Sequence, residues 1–261
     1  MHFINDIASP RPMRARDLVL ISMCGALYAS VGILTTLGIF APVFGVVRFW
    51  PAVFVPGVFA VAFGPVVGGL GAVIGIFISD MISHGNALLS LTVGVPSNLL
   101  GFYVLGYIAE RRDITGSRLK ALAAAAWILS SLSFGYFYFS VMGQALDLVG
   151  ALLLGAVSLV MALPLAWGLL KRDDATLRFC LASAVGLALG SVYIGVGIWA
   201  YSYVFALPQT VMAGQSSLPF SAAILLSFWT YCTEIPFLVV LVPPIYEAVR
   251  RAVPSVGGPN R

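Results

Sequence analysis

Charge is what this sequence has least of. Of its 261 residues only 9% are Asp, Glu, Lys or Arg, whereas 60% are hydrophobic, and the mean hydropathy is +1.01. Soluble domains usually carry about 25% charged residues. The composition therefore excludes a soluble domain. It predicts an all-α, polytopic membrane protein that forms a single membrane domain over residues 1–261, because helices satisfy their own backbone groups in lipid.

Catalytic, nucleotide-binding and metal-binding motifs are absent as well. The sequence contains no G-x-x-x-x-G-K-[ST] phosphate loop, no G-x-S-x-G elbow and no H-E-x-x-H pair. Its three cysteines lie in separate apolar runs without C-x-x-C spacing, which gives no disulfide or metal framework. Asp173 and Asp174 stand beside Lys171 and Arg172, as is typical of a solvated loop. We therefore expect no enzymatic activity, no cofactor and no bound metal.

The positive charges mark the topology of the chain. A net charge of +4 raises the possibility of a nucleic-acid partner, but the placement of the charges argues against one. Thirteen of the fourteen Lys and Arg residues lie at the ends of apolar segments, within residues 11–16, 111–120, 171–178 and 250–261. Cytoplasmic loops are enriched in Lys and Arg. We therefore expect both termini in the cytoplasm, with Arg48 as the one basic residue outside.

Eight apolar segments can be counted, of which we expect six to eight to span the membrane. They lie at about 17–40, 51–63, 66–83, 88–109, 119–141, 146–170, 177–206 and 219–249. The second and third are short for the ~20 residues of a full span. They are therefore tilted, re-entrant or located in thinned membrane. Pro96 predicts a break in the fourth segment.

The stretch from residue 48 to 80 is the most distinctive part of the sequence. It contains two uncharged runs, 51–63 and 66–78, joined by Gly64-Pro65. Glycines 64 and 68 form one GxxxG pair, and glycines 71 and 75 form another. Small residues let a neighbouring backbone approach closely. We therefore expect this hairpin to pack against protein rather than to face lipid alone.

Glu234 lies near the middle of the last apolar segment, two residues before Pro236. An ionisable side chain at that depth costs a few kcal/mol unless it faces protein or water. Pro236 removes one backbone donor, which favours a kink at the same place. Glu234 is therefore either a functional carboxyl group or a structural one that bonds to hydroxyl groups of a neighbouring helix.

The outer ends of the segments carry further polar candidates. Asp80 and His84 lie one helical turn apart, where capping and interfacial polarity are the alternatives to a binding role. Arg48 either holds an anionic group of a ligand or extends towards lipid headgroups. The full set of residues that we predict to bind substrate is Arg48, Asp80, His84, Asn98, Trp229 and Glu234.

Two groups of aromatic residues lie near the outer surface, at positions 134–139 and 199–205. They form an interfacial belt, a stacking surface for a planar ligand, or both. The second interpretation favours, weakly, a flat heterocycle such as a flavin as substrate.

Residues 17–111 resemble the substrate-binding (S) components of energy-coupling factor (ECF) transporters. The likeness is carried by Arg48 and Pro51 at the start of the second helix, by the turn Phe63-Gly64-Pro65-Val66-Val67-Gly68, by Ile78-Ser79-Asp80, and by Gly94-Val95-Pro96-Ser97-Asn98. The C-terminal helices, 119–249, lie beyond the resemblance. With them the chain has about eight apolar segments, where the family usually has six.

The resemblance implies uptake of a vitamin or other micronutrient across the plasma membrane of a prokaryote. An S component captures its substrate outside and docks on a transmembrane T component that two ATPase subunits drive. Docking in the family uses an Ala-x-x-x-Ala pattern on the first helix, and the matching positions here are Ala26 and Ser30, with Ser22 on the same face. We expect Gly25 and Ala29 to widen that face.

Two other classes of protein stay open at this point. The first is a stand-alone secondary transporter that uses Glu234 as a proton or cation site. The second is an integral membrane enzyme acting on lipid, which no motif supports. Co-purification of ATPase subunits from native membrane would separate both from the S component.

Overall fold

The computed structural model describes residues 13–35, 50–142, 159 and 162–253, with the backbone alone for 137–142. All regular elements in this part of the chain are helices, and six are long and apolar enough to cross a membrane. The prediction of an all-α polytopic membrane protein is confirmed. The helices are α1 (Ala15–Leu34), α2 (Phe54–Phe63), α3 (Pro65–Ser83), α4 (Ala87–Glu110), α5 (Gly116–Met142), α6 (Ala162–Lys171), α7 (Asp174–Val204) and α8 (Phe220–Ala252).

The hairpin of α2 and α3 runs along the length of α1. Its turn is Gly64, whose φ of 104° suits glycine because it has no Cβ. Next to the turn, the Phe63 ring lies 6.0 Å from the guanidinium of Arg16, near the start of α1. At the other end, Trp50 packs on Gly32, near the end of α1. Residues 16 to 32 cover about 24 Å of helix at ~1.5 Å per residue. Helix α3 is long and apolar enough to span a membrane, whereas Pro51–Phe63 is a shorter apolar helix.

The glycines of α3 face different neighbours. A Cβ at Gly68 would collide with Ala60 of α2, whereas one at Gly75 would lie 2.7 Å from Cδ1 of Tyr28 in α1. Gly71, one turn earlier, also packs directly against α1. The hairpin is therefore packed closely by protein, as the GxxxG spacing predicts.

Helix α4 is continuous where the sequence predicts a break. Residues Ser90–Gly94 form a π-helical turn, and the α-helix resumes at Val95 with Pro96 in its first turn. The prediction of a break near Pro96 is wrong. A widened turn accommodates the missing N–H of proline without ending the helix.

Helix α7 holds the C-terminal helices to the N-terminal ones. It packs along both α4 and α8. A Cβ at Gly186 would lie 2.6 Å from the carbonyl oxygen of Gly101, so the backbones of α7 and α4 nearly touch there. Helix α8 in turn packs on α2, where Leu238 fills the space beside Gly57. The two parts of the chain therefore share one core.

Three of the basic clusters, those within residues 11–16, 111–120 and 171–178, lie at one end of the molecule. The Arg178 guanidinium, at the start of α7, donates to the carbonyl oxygen of Ile114 in the loop after α4, at 3.4 Å. Glu110, at the end of α4, lies next to Gly64 in the hairpin turn, and Arg16 lies beside the same turn. This clustering at one end agrees with the charge bias in the sequence.

Candidate functional site

A cavity of about 150 Å³ lies towards the opposite end, between α1, α3, α4, α7 and α8. Trp50, the loop after α7 and aliphatic side chains complete its wall. The cavity brings together four of the six residues that the sequence predicts to bind substrate. These four are Asp80, His84, Asn98 and Glu234.

Asp80 and His84 contact each other on one wall of the cavity. His84 Nε2 lies 3.5 Å from Asp80 Oδ1, and the Ser90 hydroxyl donates to Asp80 Oδ2 at 2.7 Å. The backbone N–H of Asn86 donates to His84 Nδ1 at 3.1 Å. Because Nδ1 accepts, this hydrogen-bond network assigns His84 as neutral, with its proton on Nε2. Among the described residues, the Asp80 carboxyl group therefore has two polar neighbours, Ser90 and His84, and no Lys or Arg beside it.

The π-helical turn of α4 brings backbone close to Asp80. A Cβ at Gly94 would lie 2.5 Å from Asp80 Oδ2. Glycine at this position therefore leaves room for the carboxylate to reach Ser90.

In the described part of the chain, no group of three or more His, Cys, Asp or Glu residues is arranged to hold a metal ion.

A chain of hydrogen bonds forms a second wall. The Trp50 indole N–H donates to the Tyr28 hydroxyl at 2.9 Å, and this hydroxyl donates to Asn98 Oδ1 at 2.9 Å. The Asn98 amide then donates to the carbonyl oxygen of Gly94 at 2.9 Å. Each side chain is thereby fixed by the next. Tyr28 and Trp50 are cavity residues that the sequence reasoning missed.

Helix α8 supplies the deeper wall through Thr230 and Glu234, one turn apart. Glu234 is 8% exposed and Thr230 is 2% exposed. The Thr230 hydroxyl has no hydrogen-bond partner among the described residues, and neither does that of Ser191 on α7. Both side chains line a smaller space of about 20 Å³ that shares Asn98, Thr230 and Glu234 with the main cavity. This end of the cavity therefore offers polar groups that the fold leaves unsatisfied.

The loop between α7 and α8 lies over the cavity. Thr210 and Val211 contribute to its lining. Leu207 and Leu218 are buried at the base of the loop, and the Leu218 N–H donates to the Ser202 hydroxyl at 3.0 Å. The loop is therefore anchored by packing at both ends.

The two outer aromatic groups do not line the cavity, as far as their side chains are described. The aromatic rings in its wall are Tyr28 and Trp50. Trp199 packs instead edge-to-face on Tyr203 and Phe220, with ring centroids 5.5 and 5.4 Å apart. Tyr203 and Phe220 are exposed, which favours the interfacial belt.

The two remaining predicted binding residues stay predictions. Arg48 lies outside the described residues, two positions before Trp50. Trp229 is half-buried beside Thr230, and it is not part of the cavity wall.

The predicted docking residues share an outward face of α1. Ser22, Ala26 and Ser30 are all exposed. Gly25 and Ala29 are buried, and Gly25 packs on Ile74 of α3. The expectation that Gly25 and Ala29 widen the strip is therefore wrong, because this side of the helix packs against the hairpin.

Comparison with known proteins does not name a family. No protein-family model matches the chain, and no solved structure matches it.

Proposed function

We propose that this chain is the substrate-binding component of an ECF-type importer in a prokaryotic plasma membrane. It captures a small, vitamin-like molecule outside and delivers it with a T component and two ATPase subunits. The observation that carries the proposal is the cavity, in which Asp80, His84, Asn98 and Glu234 converge from three helices. Polar groups that converge in an otherwise apolar pocket are the usual form of a small-molecule site.

The position of the cavity supports capture from outside. It lies at the end of the molecule away from Arg16, Arg178 and the hairpin turn at Gly64. If the basic clusters are cytoplasmic, as the charge bias predicts, the cavity lies nearer the outer surface. The loop with Thr210 and Val211 then separates the site from the external medium.

The exposed face of α1 supports docking on another membrane protein. Ser22, Ala26 and Ser30 recur every four residues and form a narrow strip of small side chains. The Ser22 hydroxyl donates to the carbonyl oxygen of Leu18 at 2.9 Å, so its polarity is satisfied within the helix. Small residues gain packing energy in lipid only when another helix approaches closely. A partner helix of the T component fits this requirement.

The substitution Ala26→Trp tests the proposal. We expect it to abolish uptake and co-purification of the ATPase subunits, because the indole separates the two helices. Folded yield and the small molecules retained on purification, identified by mass spectrometry, should stay unchanged. Ala125→Trp, at an exposed position of α5, is the matched control and should leave uptake intact. Continued uptake by a well-folded Ala26→Trp variant would contradict the docking role.

A secondary transporter is the second candidate, and Glu234 is the observation that favours it. A buried carboxyl group beside a cavity within a membrane span is a common feature of proton-coupled transport. The purified chain in liposomes would then take up substrate on a proton gradient alone, and Glu234→Gln would abolish that uptake. If the chain is an S component, no such uptake is expected in the absence of its ATPase partners.

A further inference from the structure

In the described part of the cavity wall, the ionisable side chains are two carboxyl groups, the Tyr28 phenol and the His84 imidazole. Asp80 and Glu234 each contribute a carboxyl group, and neither Lys nor Arg occurs among the described residues of the wall. His84 accepts a hydrogen bond at Nδ1, so it supplies no positive charge in this arrangement. A carboxylate in such surroundings is stabilised when a cation or strong donors lie beside it.

The volume of the cavity limits the size of the ligand. A cavity of about 150 Å³ equals the engineered protein cavity of about 150 Å³ that binds benzene. Drug-sized ligands occupy pockets of about 300 Å³ or more. The site therefore fits one six-membered ring with a short substituent. The three fused rings of a flavin, which the sequence weakly favoured, need more space.

The walls give this ligand an orientation. The rings of Tyr28 and Trp50 and the aliphatic side chains of Ile76, Val93 and Ile198 form an apolar part. The Thr230 hydroxyl forms part of the polar end beside Glu234, and it has no hydrogen-bond partner among the described residues. A buried hydroxyl without a partner costs free energy unless a ligand satisfies it. A donor group on a ligand would satisfy the Thr230 hydroxyl next to the Glu234 carboxyl group.

We infer that the cavity binds a small monocyclic organic cation, such as a ring that carries an amino or amidino group. The cationic group donates to the Glu234 carboxylate and the Thr230 hydroxyl, and the ring lies against Tyr28 and Trp50. Asp80 adds a second carboxyl group to the wall, which disfavours anionic ligands. This inference rests on the proposed function of the cavity as a substrate site and narrows its substrate class.

Three probes with the same ring and different charge test the inference. Benzylamine is a cation, benzyl alcohol is neutral and benzoate is an anion. Binding to the purified full-length chain in detergent is read from the ligand-dependent rise in thermal stability. We expect saturable stabilisation by benzylamine, with the other two probes at least about tenfold weaker, as a charge-assisted hydrogen bond implies. Benzoate binding as tightly as benzylamine, or no saturable effect of benzylamine, would overturn the inference.

Three variants show whether the binding takes place at the proposed groups. Glu234→Gln should weaken benzylamine binding about ten- to hundredfold. Thr230→Val removes the hydroxyl at nearly constant volume and should weaken binding as well, while the unliganded protein becomes no less stable. Glu247→Gln is the control, because Glu247 lies on the same helix in an exposed ion pair with Arg250. If Glu234→Gln does not fold, the test relies on Thr230→Val. Benzylamine affinity equal to that of the parent in Thr230→Val would then refute the inference.

This test is independent of the test of transport. Binding of benzylamine requires the purified chain alone, whereas the ECF proposal requires co-purifying ATPase subunits. Selective binding of benzylamine by a chain that co-purifies with no ATPase subunits would support the inference and reject the importer. Co-purifying ATPase subunits, together with tighter binding of benzoate than of benzylamine, would support the importer and reject the inference. Arg48 would then be the candidate for the group that binds the anion.

Discussion

Gly75 in α3 provides the sharpest test of how the glycine-rich hairpin supports the site. It packs on α1, and a Cβ built there would lie 2.7 Å from Cδ1 and 2.8 Å from Cβ of Tyr28. It would also lie 2.9 Å from the carbonyl oxygen of Gly25. A backbone oxygen and a Cβ atom cannot rotate away, so Gly75→Ala must separate α1 from α3.

The expected cost follows from two opposing effects. Overpacking of a tight interface costs about 1–3 kcal/mol of the free energy of unfolding. Replacing glycine by alanine in a helix returns about 0.5–1 kcal/mol. The net loss for Gly75→Ala is therefore about 0–2.5 kcal/mol, with a central value of about 1 kcal/mol. Gly135→Ala in α5 is the matched control, because a Cβ at Gly135 meets no atom of the described residues within 4 Å, and it should gain up to about 1 kcal/mol.

The free energy of unfolding of both variants can be measured by SDS titration in mixed micelles. Gly75→Ala should also weaken benzylamine binding, because Tyr28 moves with α1 and its hydroxyl joins Trp50 to Asn98. Gly135→Ala should bind like the parent. Equal stability of Gly75→Ala and Gly135→Ala would refute the close packing of α1 on α3.

Two further predictions concern the outer surface. Cysteine introduced at Ser217 should react with an impermeant reagent in intact cells, whereas cysteine at Ser117 should be protected; the reverse pattern would overturn the orientation that the Lys and Arg bias predicts. If the ligand carries an anionic group in addition to its cationic one, and the Arg48 guanidinium holds that group in a fork geometry, Arg48→Ala should weaken ligand binding more than Arg48→Lys. Equal affinity of both variants and the parent, measured with the co-purified ligand, would leave Arg48 as a headgroup contact.

The sequence predicted the helical segments well because their signals are local. Apolar runs bounded by Gly, Pro and basic clusters define α3, α4 and α7 within a few residues. The structure corrects the prediction at Pro96, where the chain widens into a π-helical turn instead of breaking. Whether a helix ends at proline or continues through it depends on the packing around that turn. Here the relevant contact is the close approach of Gly94 to Asp80. That contact joins two helices, and no local pattern reports it.

The polar half of the cavity was predictable, and the aromatic half was not. Asp80, Asn98 and Glu234 are conspicuous because polar side chains in membrane spans need partners. Tyr28 and Trp50 are not conspicuous, because aromatic residues are common in membrane helices as lipid-facing or interfacial groups. Their role depends on where α1 and the hairpin meet, which is a tertiary property. The available signal for a buried role of Tyr28 was its position on the same helix face as Cys24 and Gly25.

Helix α1 links the proposed docking surface to the cavity. Its buried face, with Gly25 and Tyr28, fits the glycines of α3 and holds one wall of the cavity. Its outward face carries Ala26, two residues from Tyr28 in sequence and on another side of the helix. A partner that docks on Ala26 therefore acts on the element that positions Tyr28. Any shift of α1 against α3 on docking would change the Tyr28 contacts to Trp50 and Asn98.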